Sequence, residues 1–348
     1  MNHSILHVFN NEEKFSIPYF KFLRNNAFDL STHTLFQYSK KTDNYKELGL
    51  CVVFSSYFSL FKNIKLLILM FKSDKLILHN LASPWLLIYL YLFPHLTKKV
   101  YWVIWGKDLY FYKLLKKKHF HHKVYEYFRR SVFKDIKHII TYVKGDYLLA
   151  KKWYKCDAYL HECIMYPSNI YKNINTNEKT HNKTNILVGN SADPSNNHTK
   201  IFELLKPYKN TNIQIYCPLS YGNKKYADSV IQEGGEIFKE KFLPIVDFIP
   251  SNKYFNFLGE VDIAIFAHKR QQAMGNTITL LGLGKKVYIQ KETSSYQLFK
   301  DINIKIFDLN NFDLSPMNEN CKINNIKTIK QYFSAKRLSS QLKTIFRD

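Results

Sequence analysis

The chain has 348 residues, 46% of them hydrophobic and 16% aromatic, so it can bury a large core and is not an intrinsically disordered polymer. Its formal net charge of +23 implies an anionic partner (nucleic acid, an acidic membrane surface or a phosphorylated ligand), although lysine spread along the whole chain accounts for part of the excess. Five cysteines, at 51, 156, 163, 217 and 321, form no C-x-x-C pair, which argues against a zinc site or a disulfide framework and fits a reducing compartment.

The opening MNHSILHVFNNEEKF has no basic segment followed by an apolar one, so no secretory signal is expected and the cytosol or its membrane face is the expected compartment. Short β-branched and aromatic runs predict strands at 4–10, 75–80, 98–106 and 137–143, with helices between them. From Leu76 to Thr97 there is no charged residue, yet Ser83-Pro84 reads as an N-cap and a first helical position, and the apolar helix that remains, Trp85 to Phe93, falls short of the ~20 residues of a spanning helix. It is expected to be buried or interfacial. The run LCVVFSSYFSLF at 50–61 is likewise too short to span. Residues 113–134, KLLKKKHFHHKVYEYFRRSVFK, interleave basic and aromatic side chains, which suits an anionic membrane surface and also nucleic acid; a solvated helix face is the plain alternative. His119, His121 and His122 have no cysteine or carboxylate at ligand spacing, so no metal is expected there.

The almost wholly polar stretch 168–185 reads as a linker between a first domain, 1–167, and a second, 186–326. Strands are predicted again at 185–189, 212–217, 261–266 and 286–290, and helices at 197–206, 224–235, 251–259 and 277–283, with Ser251 as an N-cap and Gly259 just past the helix end. The terminal part, 327–348, reads as one amphipathic helix over 327–346. The alternation predicts an α/β protein of two Rossmann-like domains facing each other across a cleft, with ligands beyond the carboxyl ends of the strands.

The loops after strands therefore carry the candidate chemistry. ILVGNSADPSNNH crowds Asn190, Ser191, Asp193, Asn197 and His198 before a helix start, where free N–H groups favour an anion such as a diphosphate. Ordinary capping by Asn197 and a turn at Asp193-Pro194 explain one or two of these residues. AHKRQQAMGNT offers Lys269 and Arg270 to phosphate, amides from Gln271 and Gln272, close approach at Gly275, and a cap from Asn276 or Thr277; a solvated basic tip is the alternative. In WVIWGKDLY, Asp108 sits beyond the strand end at Trp105 and Gly106, as a general base or as a helix cap, and His79 in LILHN is a second candidate base or a structural histidine. There is no G-x-G-x-x-G, G-x-S-x-G, H-E-x-x-H or Walker motif, and no Asp-x-Asp pair to bridge a nucleotide-sugar through a metal.

Together, ILVGNSADPSNNH, VIWGKDLY and IFAHKRQQAMGNT resemble the TDP-N-acetylfucosamine:lipid II N-acetylfucosaminyltransferases, GT-B glycosyltransferases of enterobacterial common antigen synthesis. The resemblance runs from the LHVF start through LHNLASP to about Phe307. It implies a GT-B fold and a donor site for a dTDP-linked amino-deoxyhexose built from Asn190, Ser191, Asp193, Asn197, His198, Arg270, Gln271, Gln272, Gly275, Asn276 and Thr277. Glu292 in IQKET is implied at the donor sugar or ribose, and Trp105, Gly106 and Asp108 on the acceptor side. It further implies a polyprenyl-diphosphate-linked acceptor, a peripheral position on the cytoplasmic face of the bacterial inner membrane, no cofactor and no nucleic acid. The rival readings are a capsule or lipopolysaccharide glycosyltransferase with another donor, and a basic nucleic-acid-binding protein, for which no RRM, KH, helix-turn-helix or zinc-finger pattern is present.

Overall fold

Parallel strands can neighbour one another only if the chain crosses back between them, usually as a helix, and this requirement organises the whole chain. The computed structural model describes residues 4–10, 12–39, 43–115, 117–173 and 182–347, with backbone only at 251 and 252. It comprises two compact units, Met1–Ser168 with Ala335–Asp348, and Asn169–Ser334.

The first unit runs β1 (Ile5–Phe9), α1 (Glu13–Asn25), β2 (His33–Gln37), β3 (Cys51–Phe54), α2 (Leu60–Lys72), β4 (Lys75–His79), α3 (Pro84–Leu92), β5 (Val100–Val103), α4 (Lys107–Leu114), α5 (Phe120–Asp135), β6 (His138–Ile140), α6 (Lys144–Tyr154) and β7 (Tyr159–His161). The second runs β8 (Thr184–Val188), α7 (His198–Leu205), β9 (Ile213–Pro218), α8 (Lys224–Phe238), β10 (Phe242–Ile245), α9 (Ser251–Glu260), β11 (Ile263–Phe266), α10 (Met274–Gly282), β12 (Lys286–Ile289), α11 (Ser294–Asp301), β13 (Phe307–Asp308) and α12 (Glu319–Tyr332). A last helix, α13 (Ala335–Arg347), belongs to the first unit.

Both sheets are parallel throughout, in the orders β3-β2-β1-β4-β5-β6-β7 and β10-β9-β8-β11-β12-β13. Each is the doubly wound order in which winding reverses once, between β1 and β4 and between β8 and β11. Strands at the reversal are covered on both faces: β4 (KLILH, apolar between Lys75 and His79) and β11 (IAIF) are buried at every position.

Several expectations change. Residues 327–346 are not one helix: Phe333 is fully buried, the helix stops at Tyr332, and α13 starts two residues beyond Phe333. Of the expected linker, residues 174–181 lie outside the described residues, and 184–185 are already strand β8. α9 begins at Ser251, with Pro250 at the N-cap, and runs through Gly259 to Glu260, because Val261 is the first residue to leave helical geometry. Pro84 does take the first turn of α3, but the Ser83 hydroxyl points to Tyr38 Oη (3.3 Å) instead of capping. No helix among the described residues is long and apolar enough to cross a membrane. The basic stretch 113–134 spans the end of α4 and most of α5, with Lys116 outside the described residues; Lys113, Lys117, Lys118, Lys123 and Arg130 face solvent, whereas Arg129 is buried.

α13 presents Leu338, Leu342 and Ile345 to the first unit, a spacing of four and three residues that lies along one helix face. Its last carbonyls are held by a lysine at the start of β4: buried Lys75 Nζ donates to Ile345 O (2.8 Å) and Phe346 O (3.2 Å). Lys75→Met is expected to lower unfolding stability by about 1–3 kcal/mol and to raise hydrogen exchange selectively in 335–347. Urea unfolding and exchange mass spectrometry check both.

Candidate functional site

At a winding reversal the flanking connections leave on opposite sides of the sheet, and the two strand-end loops are left open above it. In the second unit these are the loops after β8 and β11. The first turns at Gly189, whose φ of +66° suits glycine; a Cβ there would meet His198 Nε2 at 2.7 Å and Asn196 Oδ1 at 2.9 Å. Fully buried Asn196 joins the two loops. Its Oδ1 accepts from the Asn190 backbone N–H (2.9 Å) and from His268 Nε2 (2.9 Å), and its Nδ2 donates to Ser191 Oγ (3.2 Å) and Asp193 O (3.0 Å). Two further ties run between the loops: Asn197 Nδ2 to Ala267 O (2.7 Å) and Ser195 Oγ to Gln272 Oε1 (2.9 Å). Asn197 thus binds the facing loop and makes no side-chain cap on α7, and Asp193 caps a short turn through Ser195 N (2.9 Å). Asn190 donates to Tyr221 Oη (3.0 Å), while its Oδ1 has no hydrogen-bond partner among the described residues.

The loop after β11 ends where Ala273, in left-handed conformation, starts α10 with no side-chain cap. Gly275, Asn276 and Thr277 therefore lie inside the first turn and are not caps; Asn276 donates to Tyr254 Oη (3.0 Å) and Thr277 Oγ1 to Ala273 O (3.1 Å). The first amides of such a helix have no intrahelical acceptor and carry its positive end. Arg270, Gln272 and Thr277 line a depression there together with Thr293 and Ser295. Glu292, one residue before Thr293, is exposed.

In the first unit the corresponding loops follow β1 and β4, and Asn10 Nδ2 bridges them to Asn80 Oδ1 (2.6 Å). They wall a pocket of about 570 Å³, shared with Trp105, Lys107, Asp108 and Arg129. Asp108 is buried and saturated: it accepts from Trp102 Nε1 (2.7 Å), Trp105 N (3.0 Å), Leu109 N (3.0 Å) and Leu81 N (3.3 Å). Arg129 closes the arrangement from α5 by donating to Asp108 O and to Tyr154 Oη (2.8 Å), with Glu126 Oε2 against its Nε (3.1 Å). Asp108 holds the loop instead of offering a free acceptor. His79 does not face the opening either. It is fully buried on the central strand, with Nε2 3.1 Å from His7 Nδ1 and Nδ1 2.6 Å from Tyr166 Oη; His7 continues to His33 (2.9 Å), and Tyr166 accepts from Trp105 Nε1 (2.8 Å). Burial holds His79 and His7 well below the ordinary imidazole range, so both are neutral.

The other acid lining this pocket is Glu12. Burial, aided by the Asp108 charge and opposed by Lys14 and Asn80, pushes its carboxyl up to about 7. Its Oε2 has no hydrogen-bond partner among the described residues.

The family model of glycosyl transferase group 56, described as 4-alpha-L-fucosyltransferase, matches residues 1–325. The chain belongs to this family. It is a glycosyltransferase, and its architecture is that of GT-B enzymes. A glycosyltransferase from Rickettsia africae ESF-5 superposes with a TM-score of 0.68 at 15% identity, covering 99% of this chain and 98% of that one. Anabaena HepE, solved in complex with UDP and glucose, gives 0.71 at 8% identity over 99% and 100%. WaaG, a glycosyltransferase involved in lipopolysaccharide biosynthesis, gives 0.63 at 10% over 98% of each chain.

The structure of this glycosyltransferase gathers Asn190, Ser191, Asp193, Asn197 and His198 with Arg270, Gln271, Gln272, Gly275, Asn276 and Thr277 on two adjoining loops and the starts of the helices that follow them, and Trp105, Gly106 and Asp108 at the loop and helix start after β5. Sequence reasoning missed Asn196, His268 and Glu12. Glu12 follows a strand end as Asn190 and Asp108 do, so the same rule finds it. Asn196 and His268 meet only through folding, being 72 residues apart.

Burial pushes His198 down to about 4, and burial with the nearby Arg270 charge pushes His268 down to about 3. Both are neutral when folded and titrate near 6.5 when unfolded, so the unfolded chain binds more protons below about pH 6.5. The stability they contribute is complete above that pH and is lost as pH falls toward 4. His268→Gln keeps an N–H for Asn196 and removes one titrating group. The variant is expected to flatten the pH dependence of unfolding between pH 6 and 4.5 by up to about 1.4 kcal/mol per pH unit, measured by urea titration.

Proposed function

We propose that this glycosyltransferase moves an N-acetylfucosamine-like amino-deoxyhexose from a dTDP-linked donor to a saccharide carried on a polyprenyl diphosphate, in cell-surface polysaccharide synthesis at the cytoplasmic face of the inner membrane. The observation that carries the donor side is the uncapped start of α10 beside Arg270 and Gln272. A nucleoside diphosphate gains negative charge as the glycosidic bond breaks, and fixed amides with a guanidinium stabilise that charge without reorganising. HepE, which shares the fold, was solved with UDP and glucose, and this favours a nucleoside-diphosphate sugar as the donor class. The Gln271 amide, the Asn190 Oδ1 and the acceptor side of the Thr277 hydroxyl are the groups offered to ribose, sugar and phosphate. The exposed lysines of α4 and α5 favour an anionic membrane surface.

On the acceptor side, Glu12 accepts the proton of the attacking hydroxyl, Asn80 orients it, and Asp108 with Arg129 fixes the shape of the pocket. A carboxylate titrating near neutrality is well matched to general-base work, because it is substantially ionised yet still basic. Glu12→Gln preserves shape and is expected to lower kcat by about 10²–10⁴-fold with KM little changed. In the wild type kcat/KM should rise with pH and reach half its plateau near pH 7, and the substitution should abolish that limb. Retention of full turnover and of the pH profile by Glu12→Gln would place the base elsewhere.

The donor reading is checked by thermal unfolding against dTDP, UDP, GDP, CMP and a short DNA duplex in about 150 mM salt. A ligand at ~100 times its Kd adds roughly 2.7 kcal/mol to stability. A selective upward shift with dTDP is expected. Selectivity for another nucleotide would point to a different donor sugar, and a shift with DNA alone would overturn the transferase substrate assignment.

A further inference from the structure

Two cavities of the first unit share a wall. One is the pocket that holds Glu12, with Lys107, His121 and His122 on its rim. The other, about 400 Å³, is a groove between α3 and α5 lined by Leu87, Ile88, Phe120, Val124 and Phe128. Pro84, His121 and Tyr125 line both. The groove is apolar along its length, and its polar side chains, His121 and Tyr125, are the ones it shares with the pocket. Its lip is left uncovered at some cost: Phe120 is 82% exposed, and Ile88 and Val124 are each 40% exposed. Apolar surface kept in water on two adjoining helices gains nothing for folding, and a patch of this kind marks a ligand or an interface.

The order of chemistry along the two cavities is apolar channel, then cationic and imidazole donors, then a carboxylate beside amides. A free sugar has no use for the channel, and a fatty bilayer has none for the carboxylate. An amphiphile with a single slender apolar chain, an anionic diphosphate and a hydroxyl-bearing saccharide uses all three in sequence. We propose that the α3–α5 groove seats the first isoprene units of the acceptor's lipid chain, so that its diphosphate meets Lys107, His121 and His122 and its saccharide reaches Glu12. The inference rests on the transferase reading above and adds to it a site for the chain.

The test measures binding to the full-length protein by calorimetry, with farnesyl diphosphate and inorganic diphosphate as probes. Farnesyl diphosphate is expected to bind at least about tenfold more tightly, since several buried methylenes separate the two probes. Val124→Glu and Ile88→Glu replace part-exposed residues and leave the core intact. Each is expected to bring the two affinities within about twofold of each other. Equal affinity of both probes for the wild type overturns the proposal. So does unchanged farnesyl diphosphate affinity in the variants, including a case where they lose only co-sedimentation with phosphatidylglycerol vesicles, which would make the face a bilayer contact. The dTDP thermal shift read on the same samples separates the two claims. A normal shift without prenyl selectivity removes the groove alone, and prenyl selectivity without any nucleotide shift removes the donor reading and leaves the groove.

Discussion

The reversal of strand order between β1 and β4, and again between β8 and β11, is the constraint on which the rest depends. A parallel sheet buries its strands on both faces, so polar side chains that meet solvent gather at strand ends, and only at the reversal do two neighbouring ends stand clear of crossover helices. In each unit the residues with chemistry to perform lie there. The loops after β8 and β11 supply amides, a guanidinium and a helix start, which suit an anion. The loops after β1 and β4 supply a carboxylate and two asparagines, which suit a hydroxyl. The same architecture repeated twice thus presents different chemistry at its two reversals.

Open loops hold geometry only if something rigid lies beneath them, and here that support is polar. Asn196 satisfies all of its hydrogen-bonding positions inside the protein and fixes one loop against the other. Asp108 gathers four N–H groups, and Arg129 holds the backbone behind it. Fully satisfied networks of this kind are rigid, and a single truncation leaves several buried groups unpaired. The histidine row His33–His7–His79 belongs to the same support. It is neutral and buried, and it ends at Tyr166 and Trp105 behind the pocket that holds Glu12.

The strands at the two reversals were legible as short runs rich in β-branched and other apolar residues, and the loops after them were legible as dense polar clusters. Edge strands escaped notice: β7 has three residues, none of them buried, and β13 has two, so neither carries a hydrophobic pattern. Residues that favour caps misled at α10, where Asn276 and Thr277 sit inside the helix because Ala273 takes the left-handed turn in their place. Asp108 and His79, the candidate bases, both lie at strand ends, but both are buried among hydrogen-bond partners. Whether a strand-end carboxylate is free or saturated depends on partners such as Trp102 and Leu81, and local sequence does not announce that Leu81, 27 residues away, will donate to Asp108. Likewise Arg129, one basic residue among many in 113–134, turns inward because the 3.6-residue period of α5 puts it on the same side as Val132 and Phe133.

The most direct measurement of the central claim is amide hydrogen exchange of the whole protein with and without saturating dTDP. Protection is expected to concentrate in two peptides that are far apart in sequence, 189–198 and 267–276, with the first unit unchanged. Protection confined to other strand ends, or dTDP binding that leaves both of these loops exchanging as before, would contradict it.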